Sequence, residues 1–282
     1  MFSIVSWNIQ YGKGVDGIIN LSRIADVINQ DGLPDVLCLQ EVSRNDPEID
    51  NGHDQVEELK LLFPRYNHFF GPSYDRSIGK KKRKQFGNLI LSVHSPVQVL
   101  YHMLPSPSDP TARFMPRQVT EMVINTGSNS FRIMNTHLEF FSEKQQIAQV
   151  NRLREIHKEA CEQYHNPGID KPKTPFEIIN RHEKMIICGD FNFTLESNPY
   201  KIMTEPMSHD ISNIHDAWDI LYPKNNRTPT CGVYDNNQWK EGPHCRDYFF
   251  ISKILDNKVK RFSVNNETSA SDHQPIRLIL DL

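Results

Sequence analysis

Long apolar runs are missing from this chain of 282 residues. No stretch approaches the roughly 20 apolar residues that a membrane-crossing helix requires, which excludes an integral helical membrane protein. Cysteine is scarce: five are scattered along the chain, and an odd, unpatterned set does not describe a disulfide framework. Cys38 and Cys188 sit inside apolar segments and read as small buried hydrophobes, whereas Cys231 and Cys245 fall in loop-like stretches. Positive charge is not in excess either. A net charge of −3 and a pI near 6.5 exclude a globally basic nucleic-acid coat. There is no internal repeat and no low-complexity tract beyond one run of cations. No secretory leader is visible, because Met1 leads straight into a strand-like segment, so a reducing, cytoplasmic setting is expected. Domains run to roughly 100–200 residues each, but no linker divides this chain. The expectation is one domain over 1–282, acting as a monomer.

What the chain does have is apolar segments that stop on polar residues. Met185-Ile186-Ile187-Cys188-Gly189-Asp190-Phe191-Asn192 reads as a buried strand that delivers an acid and an amide at its carboxyl end. Strand side chains alternate faces, so Asp190 and Asn192 share a side if the extended geometry persists. A carboxylate accepts a proton and a neighbouring carboxamide orients a water or donates to an anionic oxygen, a pairing suited to water attack on phosphorus. The competing reading is an Asx-type turn at the end of a strand.

The same ending recurs. Phe2 to Asn8 is a first strand that closes on a carboxamide, followed by a glycine-bearing turn from Tyr11 to Gly17. Asn20 caps a helix with Leu21, Ile24, Ala25 and Ile28 at helical spacing. Asp35 to Glu41 is a second buried strand, and a glutamate closing it is costly unless solvated, paired or bound to a cation. Asp54 caps a short helix from Gln55 to Phe63, and Tyr66 to Phe70 suits a sheet edge. Asn88 to Ser92 is another buried strand, with Val97 to Met103 as its expected antiparallel partner. Gln118 to Asn125 and Phe131 to Thr136 form a hairpin joined by Thr126-Gly127-Ser128-Asn129, running into His137. A long helix from about Glu143 to Tyr164 follows, its inner face traced by Ile147, Val150, Leu153, His157, Ala160 and Tyr164; His157 there reads as a packing histidine. Asp216 to Tyr222 is a short helix, Asn225 to Gly242 a loop, Arg246 to Ile251 a strand with Asp247 at its mouth. Val259 to Val264 and Ile276 to Leu280 are the last strands, with Ser271-Asp272-His273 just before the final one. Many short strands among helices, with polar residues where strands end, imply two packed sheets flanked by helices and a site along one edge.

Lys80-Lys81-Lys82-Arg83-Lys84 is a run of five cations in a mildly acidic protein. It suits a solvated loop, a contact for an anionic substrate, or a nuclear-localisation-like patch. Arg117 and Arg44 would each reach a phosphate, although an exposed structural arginine is the simpler reading of both.

Taken in order, Ser6-Trp7-Asn8, Leu39-Gln40-Glu41-Val42, Asn135-Thr136-His137-Leu138, Gly189-Asp190-Phe191-Asn192, Arg246-Asp247-Tyr248 and Ser271-Asp272-His273 resemble the motifs of the endonuclease/exonuclease/phosphatase superfamily, with its DNase I-like fold. Six motifs in the right order span nearly the whole chain. The resemblance implies a four-layer α/β/β/α sandwich of two mixed β-sheets and a divalent-metal-dependent hydrolase of phosphate esters, with Mg²⁺ or Mn²⁺ as cofactor. Matched position by position, it implies that Glu41 holds the metal, with Asn8 adjoining and Asp272 nearby. Asp190 would orient and deprotonate the attacking water, which Asn192 positions. His273, held by Asp247, would contact the phosphoryl oxygens, and His137 would be a second phosphate-binding histidine. One departure stands out: His244-Cys245-Arg246-Asp247-Tyr248 lacks the aliphatic residue usual between that arginine and the aspartate.

These roles agree with the chemistry. A phosphate ester repels anionic nucleophiles and its transition state carries charge on the non-bridging oxygens. Mg²⁺ takes oxygen ligands and keeps several waters, so one or two carboxylates suffice to anchor it. A histidine beside a carboxylate stays cationic. The first functional expectation is a phosphodiesterase on nucleic acid or a nucleotide, supported by the cation run and opposed by the net negative charge. A phosphomonoesterase or phospholipase-type enzyme is the second, since the same run would meet an anionic membrane surface. A non-catalytic scaffold is the third, and every matched position carries the expected catalytic chemistry against it.

Overall fold

The computed structural model describes residues 1–79, 82–125, 129–223 and 226–282. Lys80, Lys81, the turn residues Thr126, Gly127 and Ser128, and Asn225 at the head of the expected loop lie outside the described residues. With strands numbered along the chain, one sheet is ordered β11 (Val259–Val264), β12 (Ile276–Leu280), β1 (Phe2–Asn8), β2 (Val36–Arg44), β4 (Arg83–Ser92), β3 (Asn67–Ser77). The other is ordered β5 (Gln98–Met103), β6 (Gln118–Asn125), β7 (Ser130–His137), β8 (Met185–Asp190), β10 (Asp247–Ser252), β9 (Ile214–Asp216). Each sheet carries a parallel pair near its centre, β1 with β2 and β7 with β8, and its other pairings are antiparallel. Both sheets are mixed, and their parallel pairs release the chain at one edge of the molecule.

Three apolar layers hold the sandwich. Between the sheets lie Ile4, Val36, Cys38, Ile90, Met122, Ile133, Ile186, Cys188, Phe249 and Leu278. On the outer face of the first sheet, Val5, Trp7, Leu37 and Leu39 meet α1 (Leu21–Gln30) and α2 (Gln55–Leu62) through Ile24, Ile28, Val56 and Leu59. On the outer face of the second, Met134, Met185, Ile187 and Phe250 meet Val150, Leu153 and Ile156 of α3 (Glu143–His165) and Met203 of α4 (Asn198–Thr204). Central strands thus bury both faces, which is why they read as continuous apolar runs rather than alternating ones. All five α-helices among the described residues start where a side chain captures a free backbone N–H: Asn20, Asp54, Ser142, Ser197 and Asp216 accept from Arg23, Glu57, Gln145, Tyr200 and Trp218.

Some expectations change. The strand at 98–103 pairs with β6, not β4, because β4 already has β2 on one side and β3 on the other. The edge strand expected at Tyr66–Phe70 continues to Ser77, and β4 starts at Arg83, so part of the cation run is strand rather than loop. Asp216 caps α5 (Ala217–Leu221) instead of belonging to it. β9 and α4 are too short for their periodicity to be read. On α3, Ile147 and Tyr164 are only half-buried, while the layer beneath it takes Ile156. Among the described residues, no helix is long and apolar enough to cross a membrane, and Cys38, Cys161, Cys188, Cys231 and Cys245 are free thiols.

Candidate active site

The parallel pairs bring Asn8, Glu41, His137 and Asp190 to one end of the sandwich. β7 and β8 align His137 with Asp190, and β10 aligns Asp247 with Asp190 from the other side. Gly189 permits this alignment: its φ is +145°, and a Cβ there would collide with the carbonyl of Thr136 on β7. Beneath the site a polar bolt joins the sheets. Gln40 donates to the side-chain oxygen of Asn135 at 2.7 Å, and Asn135 donates back to the carbonyls of Leu39 and Leu89 at 3.1 Å each.

Glu41 does not end its strand. β2 continues to Arg44, and Glu41 sits at a register shift between Leu39 and Val42 with a φ of +59°. The bulge turns the side chain out of the pleat toward the cleft. Asn192 is likewise left-handed, with a φ of +55°. Extended geometry therefore stops at Asp190, and the backbone N–H of Asn192 donates to Asp190 Oδ1 at 2.9 Å. The Asx-type turn and the acid–amide pair are one structure. Asparagine is among the few non-glycine residues that visit this region readily, and its surroundings hold it there. Here Gln146 and Arg246 both donate to the Asn192 carbonyl, at 2.9 and 2.8 Å.

Asp190 is the hub. Its Oδ2 accepts from Asn8 Nδ2 at 3.0 Å and lies 3.5 Å from His137 Nε2 and 3.6 Å from His273 Nε2. Burial alone would raise its pKa, but His273, His137 and the hydrogen bonds outweigh that and hold it below the ordinary carboxylate range. His273 Nδ1 pairs with Asp247 Oδ2 at 2.9 Å. Burial opposes the charge on His273, yet Asp247, Asp190 and Asp272 keep it protonated far above the usual histidine range. Trp7 Nε1 donates to the His273 carbonyl at 2.9 Å, fixing the ring's backbone.

His137, expected as a second phosphate-binding histidine, lines the cleft beside Arg117. Burial, then Arg117, pushes its pKa down to about 3. The hydrogen-bond network assigns it a bare Nε2 that accepts from Asn192 Nδ2 at 2.9 Å. A neutral ring in this position orients the amide. Asn8 also acts mainly as a donor, its amide bridging Asp190 and Glu41 at 3.0 and 3.1 Å. Burial and the nearby Asp272 carboxylate push Glu41 up to about 7, and burial also raises Asp272.

Glu41, His137, Asp190, Asn192, Asp272 and His273 line a cleft of about 490 Å³, together with Phe86, Arg113, Met115, Arg117, Phe140, Phe141, Gln238 and Trp239, while Asn8 and Asp247 stand behind it. Arg117 is not the exposed structural arginine expected. It is only 5% exposed, makes one long contact to Glu139 at 3.4 Å, and its Nη1 has no partner among the described residues. A buried cationic donor left open on a cleft suits an anionic ligand. Arg44, by contrast, is bound bidentately by Asp54 at 2.8 and 2.6 Å. Arg83 pairs with Asp75 at 2.6 Å, and Lys84 sits between Asp46 and Glu48 at 3.0 and 3.1 Å. Lys82 is exposed, and none of the described cations of the run lines the cleft.

The carboxylates fit a divalent cation. Glu41 lines the cleft with Asp272 close enough to add to burial in raising its pKa, a like-charge pair that a cation would relieve. Asp190, Asp247 and His273 also place ligand atoms within 4.8 Å of one another, but His273, held protonated there, has no ring lone pair to offer a metal. Glu41 is therefore the better anchor. Gln238 and Trp239, absent from the expected set, donate to Asp272 Oδ2 at 2.7 and 3.3 Å. Both come from a loop without periodicity, so the sequence offered no signal for them. Phe140 and Phe141, 40% and 52% exposed, belong to the turn after β7, and the only hint of them was their position next to His137.

A profile described as the Endonuclease/Exonuclease/phosphatase family matches residues 5–273. No curated protein matches the chain in sequence. Similar solved structures include an endonuclease/exonuclease/phosphatase from Beutenbergia cavernae, at 21% identity and a TM-score of 0.71, covering 100% of this chain and 71% of that one. A mannosyl-6-phosphatase of Bacteroides thetaiotaomicron is 18% identical with a TM-score of 0.69, covering 100% of both chains. The catalytic domain of human nocturnin, solved with a bound sulfate, is 18% identical with a TM-score of 0.65 over 99% of this chain and 94% of that one. At these identities the likeness is one of fold.

Proposed function

The chain belongs to the endonuclease/exonuclease/phosphatase family, whose members hydrolyse phosphate esters, and from that premise we propose a divalent-metal-dependent phosphodiesterase acting on nucleic acid or a nucleotide. The observation that carries this reading is Asp190, a buried carboxylate kept ionised between two histidines at 3.5 and 3.6 Å. It lies at the floor of a cleft that also presents Arg117, whose Nη1 is unpartnered among the described residues. Asp190 is the group that takes the proton of the attacking water. Asn192, oriented by His137 and by the Leu138 carbonyl at 3.0 Å, holds that water in line. Protonated His273, backed by Asp247, and Arg117 donate to the phosphoryl oxygens as charge builds on them. Glu41, with Asp272 nearby, is the site for Mg²⁺ or Mn²⁺, which when bound neutralises phosphate charge and stabilises the leaving oxygen. Exposed Phe140 and Phe141 on the cleft wall favour an ester with a flat ring, since bases stack on aromatic side chains.

A second reading is a phosphomonoesterase on a small molecule, as the name of the mannosyl-6-phosphatase relative suggests for that protein. Arg83 and Lys84 support it, because they are consumed in ion pairs and supply no free cationic track for a polymer. The deciding experiment is hydrolysis of single- and double-stranded DNA, RNA, nucleotides, inositol phosphates, sugar phosphates and phospholipids, with Mg²⁺, with EDTA, and with Asp190→Ala. Diester cleavage that needs both the metal and Asp190 is expected. Turnover confined to monoesters would establish the second reading, and silence throughout would leave the scaffold reading standing.

A further inference from the structure

We propose that Arg246 is a positioning residue for the water-orienting amide of Asn192, a role that rests on the hydrolytic reading above. Its guanidinium lies against the rings of Phe140 and Trp239, 5.0 and 4.9 Å from their centroids, the two rings meeting edge-on at 5.9 Å. From there Nη1 donates to the Asn192 carbonyl at 2.8 Å, Nε to His244 Nε2 at 2.7 Å, and Nη2 to Glu241 at 3.2 Å. One side chain thus joins the turn after β7, the turn after β8 and the loop before β10.

The effect reaches the reacting end by two routes. Asn192 occupies a left-handed conformation that asparagine accepts but does not hold unaided, and Arg246 is one of two donors that fix its carbonyl. Releasing that carbonyl lets the peptide relax and moves Nδ2 off His137 Nε2. Trp239, stacked on the same guanidinium, donates to Asp272 and lies edge-on to the His273 ring at 5.5 Å. Arg246 therefore holds the water-facing and phosphate-facing sides of the site at one spacing. It stands directly before Asp247, the first residue of β10: Asp247 pairs with His273 while Arg246 reaches Asn192, Glu241 and His244.

The test is steady-state hydrolysis of bis(4-nitrophenyl) phosphate by the full chain and by Arg246→Ala and Arg246→Lys, with and without millimolar methylguanidinium, alongside thermal melts. Small misplacements at a reacting centre cost about 10- to 100-fold, so kcat of Arg246→Ala should fall by that much while KM stays within about twofold. Methylguanidinium should restore part of that loss and leave the wild type unchanged. Should the alanine variant fail to fold, Arg246→Lys, which keeps the charge but not the planar stack, must show a smaller fall of the same kind. An unchanged kcat, or a loss that neither lysine nor methylguanidinium lessens, overturns this inference alone. A wild type without turnover of this diester or of any ester in the panel above overturns the hydrolytic reading and this inference with it.

Discussion

Two charged clusters are buried in this protein, one on the outer face of the second sheet and one at the sheet ends, and they are built to different rules. On the outer face, Glu121 of β6 accepts from Arg181 at 3.0 and 2.8 Å, from Arg132 at 3.3 Å, and meets His102 at 2.8 Å. Arg132 also donates to the His182 carbonyl and to His157, whose other nitrogen donates to the Ser212 carbonyl at 2.8 Å. Burial would raise Glu121, but His102, Arg132 and Arg181 outweigh it and hold the carboxyl far below its ordinary range. At the sheet ends, four carboxylates (Glu41, Asp190, Asp247 and Asp272) crowd one arginine and one protonated histidine. Glu41 is pushed up to about 7, and Arg117 Nη1 and Asp247 Oδ1 have no partners among the described residues. A cluster whose charges are mutually satisfied holds a fold together. One left in conflict is shaped for something that arrives from outside.

The contrast can be broken by experiment, and the largest effect belongs to the site. Asp190→Asn keeps the shape and removes the base, so kcat should fall by about 10²–10⁴-fold while the unfolding midpoint holds or rises. A loss of less than about tenfold would remove Asp190 from the proton transfer. Glu121→Gln should do the reverse, costing about 3–5 kcal/mol in urea denaturation because two buried arginines lose their counter-charge, with kcat of the folded fraction unchanged.

Acid sharpens the same comparison. The folded pKa of Glu121 is depressed, so its contribution to stability is complete above its unfolded value of about 4.3 and is lost as pH falls through the folded one. Stability followed by denaturant titration should decline below about pH 4.3 in the wild type, and Glu121→Gln should decline less steeply there. Arg117→Ala should raise KM or lower kcat/KM by about 10- to 100-fold, the worth of a charge-assisted contact, without a matching loss of stability. The smallest effect is expected at Arg44. Its pair with Asp54 is partly exposed, so Arg44→Ala should change stability by less than about 1 kcal/mol and leave turnover alone. An activity loss there would return Arg44 to the substrate path.

Much of the architecture was legible because it is local. Apolar runs ending in Asn8 and Asp190, and one opening at Asp247, announce buried strands that meet one edge, and Asn20 and Asp54 announce helix starts. Motif order carried the sandwich fold, which the structure and the family match both show. What escaped was pairing and direction. The partner of β5 depended on which sheet edges were already occupied. Arg117 and Arg44 look alike as sequence, yet one lies open in the cleft and the other is spent on Asp54.

Sequence by itself determined which chemical groups this protein owns and the order in which strands present them, since periodicity and strand-end polarity are properties of neighbouring residues. Tertiary structure alone decided their states. His137 and His273 are the same residue type and both lie beside strand ends, but one is neutral, buried next to Arg117, and the other charged despite its burial, next to Asp247. A pKa is set by burial and by charges a few ångströms away in space. Arg117 stands by His137 only once β6 and β7 have paired. Asp190 and Asp247, carried by the second sheet, become neighbours of His273, carried by the first, only once the two sheets have packed together.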